Sequence, residues 1–327
     1  MAKKRASRKE FFKDRKTGLV IFGIFHIIIG FFCALGIPLM IFGMMVASTL
    51  DKSTSPPVSG GQMILVVSLY LLLAVWFVWM GIGSILARKW ARALILITSW
   101  LWLICGVIGF IAILLFMPAL FSTPAAGEEI PREAAVIAQA MVMVFSVFVF
   151  IVMPGAFVLF YGSRHVKATC EQKDPRKRWT DKAPLPVITL SSILGCMAIS
   201  MPLMGFYRWT THFFGVVLSG IPGAAIVLMY AILFAYAAWG TYKLQVNAWW
   251  CGFLSTFALA VSMVITFSRV SLGEFYEKMG VPQERLEIIQ RFDLFHDPRV
   301  LILGGLGIIG FLGFMIYTKR YFKASAR

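Results

Sequence analysis

Residues 18–48 read GLVIFGIFHIIIGFFCALGIPLMIFGMMVAS, a run of 31 residues in which His26 and Cys33 are the only titratable side chains. A bilayer core takes about 20 apolar residues wound as a helix. At 1.5 Å per residue this run reaches roughly 46 Å, so it predicts a membrane helix that must tilt, kink or protrude. Pro38 is the expected kink point, because its ring removes a backbone donor.

Seven further stretches qualify in the same way: Met63–Ala87, Ala93–Leu120, Ala135–Tyr161, Pro186–Phe206, Ala224–Tyr242, Trp249–Ser268 and Leu301–Tyr317. The whole chain agrees. Of 327 residues 59% are hydrophobic and 14% charged, with a mean hydropathy of +0.82, whereas soluble domains carry about 25% charged residues. This composition excludes an ordinary soluble enzyme and a disordered chain. Five cysteines in such a length exclude a disulfide-stapled secreted module.

The net charge of +16 would fit a nucleic-acid binder, but its distribution follows the membrane instead. With the N-terminus inside, 23 Lys and Arg fall on the inner side and 8 on the outer. The positive-inside rule then predicts both termini in the cytoplasm and no nucleic-acid partner. The first apolar run is too long for a cleavable leader and lacks a small-residue cleavage site, so it reads as a signal anchor. Asn247 is the only asparagine and lies in no glycosylation sequon, and no cysteine falls in an expected outer loop. Both features fit a bacterial inner membrane.

An internal duplication organises the eight spans. Ile37-Pro38-Leu39-Met40 matches Met201-Pro202-Leu203-Met204 at an offset of 164. Gly83-Ser84 and Trp90-Ala91 match Gly240-Thr241 and Trp249-Trp250 at 157 and 159. Ile130-Pro131-Arg132-Glu133 matches Val281-Pro282-Gln283-Glu284 at 151, and the segments after Tyr161 and Tyr317 match at 156. The expected architecture is all-α: eight transmembrane helices as two tandem four-helix repeats, N-in and C-in. A basic tail (1–16) precedes the first repeat (17–163). A basic cytoplasmic linker (164–183) follows it, then the second repeat (184–327) with a short basic C-terminal tail. Four spans per copy give both copies the same facing, with a pseudo-two-fold along the membrane normal.

Two segments outside the spans offer surfaces. The inner linker holds Asp174-Pro175-Arg176-Lys177-Arg178-Trp179. A basic run with a Trp beside a membrane can bind anionic lipid or dock a partner, and a topology-setting loop with an interfacial Trp explains it as well. Residues 270–297 carry apolar side chains at helical spacing, Leu272, Phe275, Tyr276 and Met279, then Leu286, Ile289 and Phe292. They read as amphipathic helices lying on the outer surface. In both halves a Pro followed two residues later by Glu suits a helix start, with the acid at the positive end of the dipole.

Chemistry is scarce. None of the 15 acids falls inside an expected span, which argues against a transporter coupled through buried carboxylates. His26 is read as packed and hydrogen-bonded between helices rather than as a ligand. No His-x-x-x-His or His-Glu-x-x-His pair supports zinc. Cys33, Met40 and Met44 share one face of the first span, and Met197, Met201 and Met204 one face of the fifth. Sulfur stripes can hold Cu(I), but methionine is also an ordinary gap filler. Gly304, Gly307, Gly310 and Gly313 are expected to allow close helix contact. The outer acids with His296 could do acid–base work on a lipid-linked substrate, but the polar face of surface helices explains them as well. The expected function is therefore a non-catalytic scaffold or accessory subunit of a membrane assembly, with no cofactor, no metal and no catalytic residue. Its partners are membrane lipids and membrane-protein subunits meeting the inner linker or the outer amphipathic helices. The alternative is a permease-like protein moving an apolar or weakly polar solute between the two repeats.

Overall fold

A computed structural model describes residues 13–50, 60–122, 132–281, 286 and 298–323. Among the described residues seven helical segments are long and apolar enough to cross a membrane: Lys16–Gly43, Met63–Ile85, Lys89–Leu115, Val136–Gly162, Leu185–Tyr207, Gly220–Tyr242 and Val246–Phe267. The protein is thus a helical polytopic membrane protein. The expected eighth span, Leu301–Tyr317, falls within a further 26-residue helix but is not among these seven. The chain packs as two compact units, Met1–Ser55 with Val66–Thr180, and Pro56–Leu65 with Asp181–Arg327.

In the first unit, α1 (Lys16–Leu50) remains helical through Pro38. It runs against α2 (Gly60–Ile85) along a seam of small residues. A Cβ on Gly23 would stand 2.8 Å from the Gly81 carbonyl, one on Gly81 would stand 2.6 Å from the Gly23 carbonyl, and one on Gly30 would stand 2.9 Å from the Ala74 carbonyl. Gly23 and Gly30 lie seven residues apart, as do Ala74 and Gly81, so two antiparallel backbones meet where side chains are absent. Lipid tails are as apolar as leucine, so membrane helices gain by such close approach rather than by hydrophobic burial.

After α3 (Lys89–Ser122), one span is built from α4 (Arg132–Val147), a π turn (Phe148–Val152) and α5 (Met153–Gly162). Pro154 explains the π turn. It has no N–H for the Phe150 carbonyl, and its ring crowds that carbonyl. The freed carbonyl leans onto α3 at Gly106, where any Cβ would collide with it. His26 is 2% exposed. Its Nδ1 lies 2.8 Å from the Phe22 carbonyl one turn back, so Nδ1–H donates, and its ring packs 4.5 Å from that of Phe157. It is a packed core histidine, held within its own helix. Nearby, Ser84 Oγ donates to the Leu19 carbonyl at 2.9 Å and lies 2.6 Å from the Tyr161 hydroxyl.

The inner linker is largely helical. Its first half is α6 (Arg164–Lys173), capped by the Ser163 hydroxyl, with Val166, Thr169 and Cys170 buried. Burial pushes the Cys170 thiol up to about 11, so it packs as a small apolar group. Thr169 Oγ1 accepts from the Arg15 backbone N–H at 3.1 Å, tying the start of α1 to α6. Asp174, 1% exposed, is the hub. It accepts from Arg178 Nε and Nη2, each at 2.9 Å, and from the Lys89 backbone N–H at 3.4 Å. Arg88 Nη1 stands 3.8 Å away. The carboxylate thereby caps the positive end of α3.

In the second unit, α7 (Leu185–Ser200) starts with Pro186 in its first turn and gives way at Met201 to a 3₁₀ stretch, Met201–Tyr207. Met201 and Met204 therefore leave the α-helical face of Met197, and the second sulfur stripe is broken. A two-stranded antiparallel hairpin follows, β1 (Thr211–Phe213) with β2 (Val216–Leu218), paired Thr211 to Leu218. Its turn, Phe214-Gly215, has φ of 40° and 98°, the positive pair that two-residue hairpins require. Then come α8 (Gly220–Tyr242), α9 (Val246–Phe267), α10 (Leu272–Lys278) and α11 (Pro298–Lys323). Trp249 pins α11. It is 1% exposed and its Nε1–H reaches the Met315 carbonyl at 3.1 Å and Thr318 Oγ1 at 3.3 Å.

The glycines of α11 act differently from the expectation. A Cβ on Gly304, Gly307, Gly310 or Gly313 would meet nothing within 4 Å among the described residues. Of the outer amphipathic segment, α10 is helical as expected, and Leu286 is helical and buried. The remaining residues of 282–297, with Pro282 and Glu284, lie outside the described residues, as does Pro131.

The α2–α3 and α8–α9 corners share one backbone device. Ala87 is left-handed at φ 50°, and Leu244 at φ 59°. Ala87 N–H donates to the Ser84 carbonyl and Arg88 N–H to the Gly83 carbonyl, while Leu244 and Gln245 do the same to Thr241 and Gly240. A Cβ on Gly83 would press on Ala91 at 2.6 Å, and one on Gly240 would collide with Ala248. The common offset is 157, which pairs Ala91 with Ala248 rather than Trp90 with Trp249.

Candidate binding site

A cavity of about 750 Å³ opens in the second unit where α7 and α9 end and α8 begins, and its lining comes from the hairpin base and α10. Its first wall is the segment Arg208-Trp209, left-handed at φ 58° for both residues. Two consecutive non-glycine residues there cost about 1–3 kcal/mol each, so surrounding bonds must hold them. Trp209 N–H donates to the Met204 carbonyl at 2.9 Å, and the Arg208 carbonyl accepts from Gly220 N–H at 2.8 Å. The Trp209 carbonyl presses on the first turn of α8 at Gly223, where any Cβ would collide with it. Glycine at that position is what lets the two elements close.

The hairpin itself needs partners for backbone groups at the end of an apolar helix bundle, where an unpaired N–H costs several kcal/mol. Small polar side chains on α9 supply them. Ser262 Oγ accepts from Phe214 N–H at 2.9 Å, and Thr266 Oγ1 accepts from Gly215 N–H at 3.0 Å. Ser262 Oγ donates in turn to the His212 carbonyl at 3.3 Å. A serine and a threonine four residues apart on one face of α9 are thus the sequence signal for the hairpin's seat.

The second wall is α10, capped by Ser271, whose hydroxyl accepts from Glu274 N–H at 3.3 Å. It is fixed to the hairpin by Thr210 Oγ1, which donates to the Lys278 carbonyl at 3.1 Å. Lys278 Nζ is shared between Glu274 Oε1 at 3.1 Å and the Val217 carbonyl at 3.3 Å. Two opposite charges remain in the lining, Arg208 and Glu277. Among the described residues neither pairs with another charged side chain. The Arg208 side chain lies over Gly280, where a Cβ would stand 2.7 Å from its Nε. Ser219 adds a hydroxyl at the start of α8 that makes no cap bond of its own.

Glu274, Glu277 and Lys278 fall on the expected amphipathic segment, and the hairpin brings Arg208 to them. No three of His, Cys, Asp and Glu come together as a metal site among the described residues. Comparison with protein-family models, with curated proteins and with solved structures finds no match to this chain.

Proposed function

We propose that the chain is a non-catalytic scaffold or accessory subunit of a membrane assembly, built as two four-span repeats with both termini in the cytoplasm of a bacterial cell. The repeat is supported by the two corners, which use the same left-handed residue, the same pair of backbone bonds and the same glycine–alanine contact at one offset. The helix Pro298–Lys323 supplies the eighth span.

One observation carries the scaffold reading. Several polar side chains within the spans bond internally, Ser84 with Tyr161 and Leu19, Ser191 with the Ala238 carbonyl and Ser262 and Thr266 with the hairpin, while the buried Thr241 hydroxyl has no partner among the described residues. Charge collects outside the spans, around α6 and around α10. Such a chain presents recognition surfaces at its two ends and packed helices between them. The test is gentle extraction of the tagged protein from its own membrane, followed by native mass spectrometry. The expected result is a partner protein at fixed stoichiometry. A lone chain that carries a small cargo and moves it across reconstituted vesicles would replace this reading with transport.

A further inference from the structure

We propose that the cavity between the hairpin base and α10 binds a phosphoethanolamine-type zwitterion, a phosphate and a primary ammonium on one small group. The inference starts from the charges. Of the four ionisable side chains that the described residues place in the lining, Lys278 and Glu274 hold each other. Among the described residues Arg208 and Glu277 are left, one cation and one anion, and no ion pair joins them. A simple anion would face two carboxylates, and a simple cation would face a guanidinium and an ammonium. A group carrying both signs meets a complement for each.

The phosphate end belongs at Arg208, whose fork suits phosphate oxygens. The Ser219 hydroxyl and the first turn of α8 stand on the same wall, and the helix there carries partial positive charge. The amine end belongs at Glu277. The wall favours an N–H-bearing amine over a quaternary one. A carboxylate accepts hydrogen bonds from a primary ammonium, whereas a quaternary ammonium is held by a cage of aromatic faces. Among the described lining residues Trp209 is the single aromatic, and its ring lies close over Gly205, 2.9 Å from where a Cβ would be.

Place and size agree. Cavities that take small ligands measure about 300–1,000 Å³. This one sits at the ends of apolar spans, at the level where headgroups meet water. The zwitterion can come from phosphatidylethanolamine in the facing leaflet or from a free phosphoethanolamine-like solute. The site does not depend on the scaffold reading, and either can fail alone.

The full-length protein in detergent is mixed with phosphatidylethanolamine, phosphatidylcholine and phosphatidylglycerol, and retained lipid is read by native mass spectrometry. A second arm adds soluble O-phosphoethanolamine. The wild type is expected to retain phosphatidylethanolamine about tenfold better than the other two, and the soluble headgroup is expected to displace it. Soluble binding without lipid enrichment also supports the site and assigns it to a free solute. Glu277→Gln should abolish the preference over phosphatidylglycerol. Arg208→Gln should lower retention about tenfold, and Arg208→Lys should restore much of it. Glu171→Gln, outside the site, should change nothing. Both site residues are exposed, and unchanged unfolding temperatures establish that the variants are folded. Equal retention of all three lipids with no binding of the soluble headgroup would overturn the proposal, as would wild-type behaviour in both Gln variants.

Discussion

Trp249→Ala is expected to destabilise the protein by about 3–5 kcal/mol, the cost of truncating a large buried aromatic. Trp249 sits in the first turn of α9 and is 1% exposed. Its ring stacks on Phe253 at 5.3 Å, and its indole N–H bridges to α11 at Met315 and Thr318. Lys319 lies 5.0 Å over its ring and 4.0 Å over that of Trp250. Removing the indole therefore empties a packed site and releases the C-terminal turns of α11 together. Trp249→Phe keeps most of the volume and loses the donor, which is expected to cost about 1–2 kcal/mol. Denaturant unfolding in detergent measures both. Limited proteolysis of a C-terminal tag should be faster in the Ala variant than in the Phe variant. Equal stability of wild type and Trp249→Ala would mean that α11 is held elsewhere.

Asp174→Ala is expected to cost about 2–3 kcal/mol. Its loss strips hydrogen bonds to a charged partner, each worth about 1.5–3 kcal/mol, and takes the shared carboxylate away from Arg88 and Arg178. The contribution depends on pH. Hydrogen bonds from Arg178 hold the carboxyl below its ordinary value, with help from the Lys89 N–H and the charge of Arg88, against the opposing effect of burial. The unfolded chain then binds this proton more readily than the folded one. The stabilisation is complete above the ordinary carboxylate range and is lost as pH falls through the lowered folded value. Asp174→Asn should flatten that part of the stability profile. An unchanged acid limb in the variant would show that Asp174 does not set it.

Seven apolar segments were legible because about 20 apolar residues leave a chain few alternatives in a bilayer. The rest depended on pairings that composition does not reveal. α6 hides in a segment whose charge reads as a loop, yet Ser163 caps it and Val166, Thr169 and Cys170, at i, i+3 and i+4, turn inward. That periodicity was available in the sequence and is weaker than the run of lysines and arginines around it. The glycines divide in an instructive way. The dense series at 304–313 meets no neighbour among the described residues, whereas the sparse pairs Gly23 with Gly81 and Gly30 with Ala74 carry a backbone contact. Heptad spacing of small residues on two consecutive helices is the better signal, since contact needs a matching partner as well as a small residue. Asp174 could not be assigned from sequence, because its Arg88 and Lys89 partners lie 86 and 85 positions earlier. The cavity escaped for a related reason: Arg208 reaches α10 only through the left-handed pair and the hairpin that Ser262 and Thr266 seat.

The proposed topology puts the loop after Phe267 outside and the α6 segment and C-terminal tail inside. Single cysteines placed at Lys177, Ser268 and Ser325 of a cysteine-free variant test it directly, with a membrane-impermeant maleimide on intact cells. Ser268→Cys should react at once, and Lys177→Cys and Ser325→Cys only after the membrane is opened. Labelling of Lys177→Cys and Ser325→Cys from opposite sides, or protection of Ser268→Cys in intact cells, would contradict it.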